Sequence, residues 1–146
     1  MLLNQTDLYA IRAMAHLALQ EPDARLSSRD LSEATGVPNH YLNKIMRKLV
    51  EAELVVSQKG HHGGFSLAQS HESITIFNIL QAIKSPGFSD FCVFGWKECS
   101  NENPCPLHPS WDNFRECFLG WSQKTTLQEI HDNNVPLNFV VPEEEE

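Results

Sequence analysis

The stretch that decides the fold is LSEATGVPNHYLNKIMRKLVEAELVVSQKGHHGGFSL, residues 31–67. It holds the end of a short helix that stops near Gly36, then a turn with Pro38, then a longer amphipathic helix. A short β-branched run, a turn with three glycines and a second short run follow, which is typical of a hairpin. A short helix, a tight turn and a second helix form the helix-turn-helix pattern. The hairpin directly after it makes the predicted unit winged.

Helices are also predicted before this stretch. Residues 5–20 form an amphipathic helix, with Thr6 as its expected N-cap and Asp7 in the first turn beside the helix dipole. The short helix that ends near Gly36 is expected to open at Ser27 or Ser28. The apolar face predicted for the first helix consists of Leu8, Ile11, Met14, Ala15 and Ala18. The face predicted for the helix after Pro38 consists of Tyr41, Leu42, Ile45, Met46 and Leu49.

Two more helices are predicted after the hairpin. The first covers residues 73–85 and ends before Pro86 and Gly87, and the second is one long helix over residues 109–132. The long helix carries more large apolar groups than one small domain needs to bury, namely Trp111, Phe114, Phe118, Trp121 and Leu127. The predicted fold class is mainly α with a small β-hairpin wing, a winged helix-turn-helix plus a long C-terminal helix.

The chain divides into four predicted regions. Residues 1–84 form the winged-helix domain, residues 85–108 a cysteine-rich loop, residues 109–132 the long helix and residues 133–146 an acidic tail. A chain of 146 residues that is 41% apolar suits one domain with an appended element.

Charge is distributed unevenly along the chain. The net charge is −8, yet residues 1–68 carry seven basic and seven acidic side chains, so the excess acid lies entirely in the second half. A local basic face therefore remains available for DNA. No run of 18 apolar residues predicts a membrane span, and the N-terminus lacks a basic segment before an apolar stretch. We expect a cytoplasmic protein that does not bind membranes, with reduced thiols.

The helix after Pro38 is expected to read DNA, since the second helix of such a unit lies in the major groove. Asparagine side chains can pair with base edges, and cations at three- and four-residue spacing give a face for phosphates. The candidate residues on this helix are Asn39, His40, Tyr41, Asn43, Lys44, Arg47 and Lys48. Lys59, His61 and His62 at the hairpin tip, together with Arg29, complete the set. Each feature alone also suits an ordinary solvated surface, but their order favours DNA binding.

A second candidate site is the stretch FCVFGWKECSNENPCPLH, residues 91–108. Cys92, Cys99 and Cys105 are separated by six and five residues, and His108 follows after two more. Thiolates are the soft ligands that iron–sulfur clusters and zinc prefer, and loop spacing gives the slack to wrap a cluster. Zinc is an alternative, because three cysteines and a histidine form a tetrahedral set. Metal-free thiol sensing through a Cys99–Cys105 disulfide is another.

These motifs together resemble the Rrf-type family of bacterial winged-helix regulators, which includes the IscR type and the nitric-oxide sensor NsrR. The resemblance rests on LYAIRAMAHLAL, on residues 31–67 and on the cysteine loop, and it covers roughly residues 1–130. Its most specific parts are the wing KGHHGGFSL and the Cys-Cys-Cys-His spacing. Two features depart from the family: the first cysteine gap is six residues where some members have five, and Asn43 stands where the IscR type has a glutamate that helps to discriminate operators.

The resemblance implies a homodimer that forms through the long helix and binds a pseudo-palindromic operator in double-stranded DNA. It also implies an iron–sulfur cluster on the three loop cysteines and a fourth, non-cysteine ligand, with 2Fe–2S preferred over 4Fe–4S. His108 matches the fourth ligand of the IscR type, and Asp7 is an alternative, as the NsrR type uses an acid near this point. In this chain that acid lies one residue earlier. Cys117 is expected to be a small buried hydrophobic residue instead.

The predicted function is a DNA-binding transcription regulator that senses redox state, nitric oxide or iron–sulfur status. The alternative is a metal-free thiol-dependent or zinc-dependent winged-helix repressor. An enzyme is not predicted, since the sequence lacks a phosphate-binding loop, a GxSxG motif and an HExxH motif.

Overall fold

The computed structural model describes residues 3–85, 92–96, 100–133 and 137. Within these residues the chain forms six helices and one antiparallel hairpin, which confirms the predicted fold class. The elements are α1 (Gln5–Ala18), α2 (Ser28–Thr35), α3 (Asn39–Glu51), β1 (Val55–Gln58), β2 (Gly64–Leu67), α4 (Ile76–Ala82), α5 (His108–Lys124) and α6 (Leu127–Asn133). None of the described helices is long and apolar enough to cross a membrane.

The first helix, α1, lies at the centre of the fold and packs against α2, α3, α4, α6 and β2. Its N-cap is Asn4, so the prediction of Thr6 is wrong. The Asn4 side chain accepts the Asp7 backbone N–H at 2.9 Å, and the Asp7 carboxylate accepts the Asn4 backbone N–H at 2.8 Å. In a reciprocal box the capping residue lies three residues before its partner. Asn4 has this spacing to Asp7, whereas Thr6 directly precedes Asp7.

The helix-turn-helix consists of α2 and α3. Ser27 caps α2 through a reciprocal box with Asp30, and Gly36 ends it in the left-handed region at a φ of 71°. Four of the five apolar residues predicted for α3 are buried, namely Leu42, Ile45, Met46 and Leu49. Tyr41 is 49% exposed and does not belong to that face. It lies on the first turn of α3.

The wing is the β1–β2 hairpin, in which Val55 pairs with Leu67 and Gln58 pairs with Gly64. The half of β2 next to the turn is held by backbone hydrogen bonds between Leu26 and Phe65, at 3.0 and 2.7 Å. Gly64 makes this contact possible: it has a φ of 142°, and a Cβ there would lie 2.6 Å from the Leu26 carbonyl oxygen. The sequence therefore joins the wing to the chain just before α2.

The helix after the wing, α4, is shorter than predicted. Thr75 caps it through a reciprocal box with Asn78, and Lys84, at a φ of 56°, lies just after its end. Pro86 and Gly87, the predicted terminators, lie outside the described residues.

The single helix predicted over residues 109–132 is two helices. α5 ends at Lys124 and α6 begins at Leu127, because Thr125 adopts an extended backbone and Thr126 forms an antiparallel bridge with Thr75. The β-branched threonines tolerate this extended geometry well. α5 begins at His108, one residue before the predicted start of the long helix.

The hydrophobic core joins α1, α2, α3, α4 and α6. Its fully buried side chains include Met14, Leu31, Leu42, Met46, Leu49, Ile74, Ile79, Leu80 and Leu127. From α5, Phe118 packs against this core from outside. The winged helix is therefore built around one core, with α5 attached to its side.

Candidate DNA interface and metal-binding loop

The outer face of α3 carries every candidate DNA-binding residue predicted on that helix. Opposite the four buried apolar residues, the exposed side chains are those of Asn39, His40, Tyr41, Asn43, Lys44, Arg47 and Lys48. In the part of the chain that the structure describes, Lys44, Arg47 and Lys48 form no ion pair with an acidic side chain. Their charge is therefore available to an external anion.

The first turn of α3 differs from that of α1, α2 and α4. Those three helices have reciprocal side-chain caps, whereas Pro38 precedes α3 and provides none. An aromatic row supports this turn: the rings of His40 and Tyr41 have centroids 4.4 Å apart, and the rings of Tyr41 and Tyr9 have centroids 6.3 Å apart. Sequence reasoning missed Tyr9, which lies on another helix, so no local spacing relates it to Tyr41.

The wing tip presents Lys59, His61 and His62, all exposed. The tip is tight, because a Cβ on Gly63 would lie 2.3 Å from the Gln58 carbonyl oxygen, and His62 itself has a φ of 62°. The two imidazoles diverge, with ring centroids 6.2 Å apart. These side chains therefore project outward from a fixed backbone.

Arg29, the remaining candidate for a DNA contact, has a partner on its own helix. Its Nε lies 3.2 Å from Glu33 Oε1, and both side chains are mostly exposed. An exposed pair of this kind is worth about 0.3–0.5 kcal/mol. A DNA phosphate could therefore replace Glu33 at little cost.

In the cysteine loop, Cys92 and Cys105 are both buried as free thiols. The Cys105 thiol is hydrogen-bonded to the Cys92 sulfur, which also accepts the Phe94 backbone N–H at 3.4 Å. The Gly95 and Trp96 amides also face this sulfur. Burial alone raises the pKa of Cys92, but these hydrogen bonds together outweigh it, so the pKa lies below the usual thiol value. These hydrogen bonds therefore stabilise the thiolate form of Cys92 relative to that of an ordinary cysteine.

His108 lies at the start of α5, one turn after Cys105. Its backbone N–H donates to the Cys105 carbonyl at 3.0 Å, and its side chain is only 7% exposed. The imidazole Nε2 lies 2.7 Å from Asn101 Oδ1, a contact that fixes the ring. Sequence reasoning missed Asn101, because nothing in a loop sequence predicts which amide turns inward.

Among the described residues, two of the four predicted ligands, Cys92 and Cys105, are in contact. His108 follows Cys105 by one helical turn. Cys99 lies outside the described residues. In the ranges that the structure describes, no group of three or more His, Cys, Asp or Glu side chains could hold a metal ion. The geometry thus supplies the Cys92–Cys105 pair, and His108 is linked to it through the hydrogen bond of its backbone N–H to the Cys105 carbonyl.

Asp7 is 1% exposed. Its Oδ2 is used in the cap of α1, but its Oδ1 is buried with no hydrogen-bond partner among the described residues. An unpaired buried carboxylate oxygen is uncommon, because its desolvation is not compensated. Asp7 therefore keeps a ligating atom available.

Cys117 is exposed on α5, so the prediction that it is buried is wrong. The reason is the way α5 docks. Phe118 packs against the core, while the neighbouring face carries Phe114, 51% exposed, and Trp121, 48% exposed. Cys117 lies with the exposed face.

Comparisons with known proteins agree with these features. The family model Rrf2, described as an iron-dependent transcriptional regulator, matches residues 3–133. A predicted HTH-type transcriptional regulator of Aquifex aeolicus is 30% identical over 132 residues, covering 89% of this chain and 91% of that protein. The HTH-type transcriptional regulator IscR of Photobacterium profundum is 29% identical over 136 residues, covering 92% and 78%. These relatives are regulators, not enzymes.

Solved structures share the fold. CymR, the global cysteine regulator of B. subtilis, superposes with a TM-score of 0.77 at 21% identity, covering 91% of this chain and 98% of that one. T. potens IscR superposes with a TM-score of 0.73 at 18% identity, covering 94% and 93%. The winged helix and the attached α5 are therefore a known arrangement.

Proposed function

The chain belongs to the Rrf2 family of winged-helix transcription regulators, and on that premise we propose that it is a cytoplasmic iron–sulfur sensor that controls an operator. In this proposal Cys92, Cys99 and Cys105 hold the cluster, 2Fe–2S in preference to 4Fe–4S. His108 is the fourth ligand, and Asp7 is the alternative. The cluster's presence or redox state sets the affinity for DNA.

The DNA side of the proposal is supported by charge and exposure. The uncompensated cations of α3 suit phosphates, which supply most of the affinity. Asn39 and Asn43 lie on the same exposed helix, near its N-terminus, where base edges are read. The wing tip adds Lys59, His61 and His62. We assign all of these side chains, with Arg29, Lys44, Arg47 and Lys48, to the operator contact.

The single observation that carries the cluster proposal is the buried contact between the thiols of Cys92 and Cys105. Backbone amides directed at a ligand sulfur stabilise the thiolate and tune iron–sulfur clusters. Cys105 also lies just before the N-terminus of α5, a helix of 17 residues whose dipole favours negative charge there. The residues present therefore fit an anionic thiolate-bound group.

The fourth position determines what kind of chemistry the site serves. When bound, the cluster supplies a redox-active, oxidant-sensitive centre. Cys92 and Cys105 hold it as buried thiolates, and Asn101 orients His108. An imidazole is a protonatable ligand, so the corner it holds is exchangeable, which suits a sensor better than an electron carrier. Asp7, with its unpaired Oδ1, could serve instead from a second copy of the chain.

The homodimer is supported by the exposed aromatic face of α5, which holds Phe114 and Trp121. Two copies joined through this face would present two α3 helices to a pseudo-palindromic operator. Half-sites need fixed spacing, so a small rotation of α5 would change DNA affinity. Oxidation, nitric oxide or iron shortage would act through that rotation.

The test is an anaerobic absorption spectrum of the freshly purified protein, with iron and acid-labile sulfide measured on the same sample. We expect visible charge-transfer bands and matching iron and sulfide. A colourless protein that stays colourless after reconstitution would contradict the cluster. Histidine ligation is tested separately: His108→Ala should shift the spectrum, and if Asp7→Ala shifts it instead, the ligand is Asp7.

A metal-free thiol regulator is a second candidate, favoured by the same contact between reduced thiols. CymR, which shares the fold, is the global cysteine regulator of B. subtilis, and S. aureus CymR has been crystallised in an oxidised form. Among the described residues the pair in contact is Cys92 and Cys105; the predicted Cys99–Cys105 pair includes Cys99, which lies outside the described residues. Peroxide treatment of the colourless protein, followed by mass mapping, would identify this disulfide. Zinc on three cysteines and a histidine would give a colourless, zinc-containing protein instead.

A further inference from the structure

The break between α5 and α6 is bonded to the chain that follows the wing. The Ile76 backbone N–H donates to the Thr125 carbonyl at 2.9 Å, and the Leu127 N–H donates to the Ile74 carbonyl at 3.0 Å. These two bonds form the antiparallel bridge between Thr75 and Thr126. We call residues 125–128 together with residues 71–76 the junction.

Two further contacts extend the junction to its surface. The Gln128 backbone N–H donates to the His71 carbonyl at 3.1 Å. The imidazoles of His71 and His131 stack, with centroids 4.8 Å apart and ring planes 11° from parallel. The start of α6 is therefore attached to the segment after β2 along its whole first turn.

The junction is part of the core and not a surface decoration. Ile74 and Leu127 are fully buried, and Ile76 is 4% exposed. Buried backbone groups that lose their partners are costly, so the two paired segments move together. Thr75 also caps α4 through its box with Asn78, which joins that helix to the same unit.

The junction lies close to the wing along the chain and at the far end of α5 from the cysteines. β2 ends at Leu67, and a turn closed by the Ser73 N–H on the Ser70 carbonyl, at 2.9 Å, links it to the junction. At its other end, α5 begins at His108, three residues after Cys105. A helix of 17 residues is about 25 Å long, so a rotation of about 5° displaces one end by about 2 Å relative to the other.

We propose that the junction transmits the position of α5, and with it the state of the cysteine loop, to the wing and α4. This deepens the proposed function and rests on it, because it names the route by which the loop regulates DNA binding. α5 acts as the rigid element. It packs directly against α4, and the bridge of Thr75 with Thr126 is the point where its movement reaches the segment that follows the wing. His131 and Gln128 are positioning residues in this route, with no contact to DNA or cluster required.

Two pairs of variants separate the junction from general stability. Gln128→Pro removes the backbone N–H that binds His71, at a helix position where proline is tolerated, and Gln128→Ala removes the same side chain but keeps that N–H. His131→Ala removes the stacked ring, whereas His131→Phe keeps an aromatic ring in its place. Gln128→Ala is thus the matched control for Gln128→Pro, and His131→Phe is the matched control for His131→Ala.

The first measurement is the operator affinity of each protein with the cluster loaded and with it removed, using a duplex selected from a random pool by the wild type. We expect a loaded-to-apo ratio of about fivefold or more in the wild type, Gln128→Ala and His131→Phe. In Gln128→Pro and His131→Ala the ratio should fall towards one. Ratios that stay equal to the wild-type value in both would overturn the junction proposal.

The second measurement is hydrogen exchange of the wing amides, residues 55–67, in the same apo proteins. The proposal predicts faster exchange in Gln128→Pro and His131→Ala than in their matched controls, with α3 unchanged. If the wild type itself shows no difference between loaded and apo forms, the cluster-sensing function fails, and exchange alone then decides the junction. Unchanged exchange of the wing amides in both Gln128→Pro and His131→Ala would overturn the junction proposal, whether or not these variants bind DNA normally.

Discussion

The helices α1 and α5 are of similar length but differ in what they bury. α1 buries seven of its 14 residues, and six of those are apolar. α5 buries two of its 17 residues, His108 and Ser122, while Phe114 and Trp121 remain largely exposed. The winged helix is thus complete within one chain. The region of α5 and the cysteine loop is completed by other components, which we propose to be a cluster and a second copy of the chain.

The largest expected effect is the loss of bound iron when a cysteine of the second region is substituted, with the winged helix left intact. Cys92→Ala and Cys105→Ala should each abolish bound iron, because each removes a buried sulfur ligand, while the winged helix keeps its circular dichroism spectrum. Cys117→Ala, a matched removal of an exposed thiol on α5, should retain iron at the wild-type level. Iron assays on the three variants check this. Retention of full iron by Cys92→Ala would show that the loop pair does not hold the metal.

A core substitution should act on the first region alone. Leu31→Ala removes a fully buried side chain of α2 and should lower the free energy of unfolding by about 2–5 kcal/mol. Phe114→Ala removes a half-exposed ring of α5 and should leave that free energy nearly unchanged at high protein concentration, while weakening dimerisation. Urea unfolding and analytical ultracentrifugation measure the two quantities. A monomeric wild type, or a Phe114→Ala dimer of unaltered affinity, would contradict the role of the α5 face.

The DNA face should respond to charge in a way that the α5 face does not. Arg47→Ala removes one cation of α3 and should reduce the slope of log affinity against log salt by about one unit. Lys124→Ala removes the same charge from the end of α5 and serves as the control. Fluorescence anisotropy at several salt concentrations provides the slopes. Identical slopes for wild type and Arg47→Ala would remove Arg47 from the operator contact.

The smallest expected effect is a pH dependence within α1. Burial lowers the pKa of His16, whose Nδ1 has no hydrogen-bond partner among the described residues. A histidine with a lowered pKa in the folded state favours folding when it is neutral. Its contribution is complete above the ordinary pKa of 6.5 and is lost as the pH falls below that value towards the folded pKa. His16→Gln should therefore lose less thermal stability than the wild type between about pH 7.5 and about pH 5.5.

The control for this effect is His61→Gln, which changes an exposed histidine of the wing. It should lose as much stability on acidification as the wild type, because the substituted side chain is exposed and His16 is unchanged. Equal losses in all three proteins would show that His16 does not limit stability in acid.

The winged helix could be predicted from sequence because its signals are local. The left-handed Gly36, the spacing of Leu42 to Leu49 and the glycines of the wing each specify structure within a few residues. The predictions are wrong where a contact with a segment distant in sequence determines the local structure. Thr126 leaves the helix because it pairs with Thr75, some 50 residues earlier in the chain, and Cys117 is exposed because Phe118 takes the place against the core.

The candidate site was predictable in residue type but not in arrangement. Soft ligands at loop spacing indicated the cysteines, but the sequence alone did not indicate that Cys92 contacts Cys105. Asn101, which orients His108, had no signal at all, because a loop amide has no periodic pattern. For Asp7, the sequence indicated a first-turn acid but not an unpaired buried oxygen.

The most direct test of the central claim is one anaerobic titration of an operator duplex with the protein as purified, repeated after chelation of its iron. We predict an affinity change of about fivefold or more, reversed on reconstitution, and absent in Cys92→Ala. Equal affinity in the loaded and iron-free forms would contradict regulation through the cysteine loop.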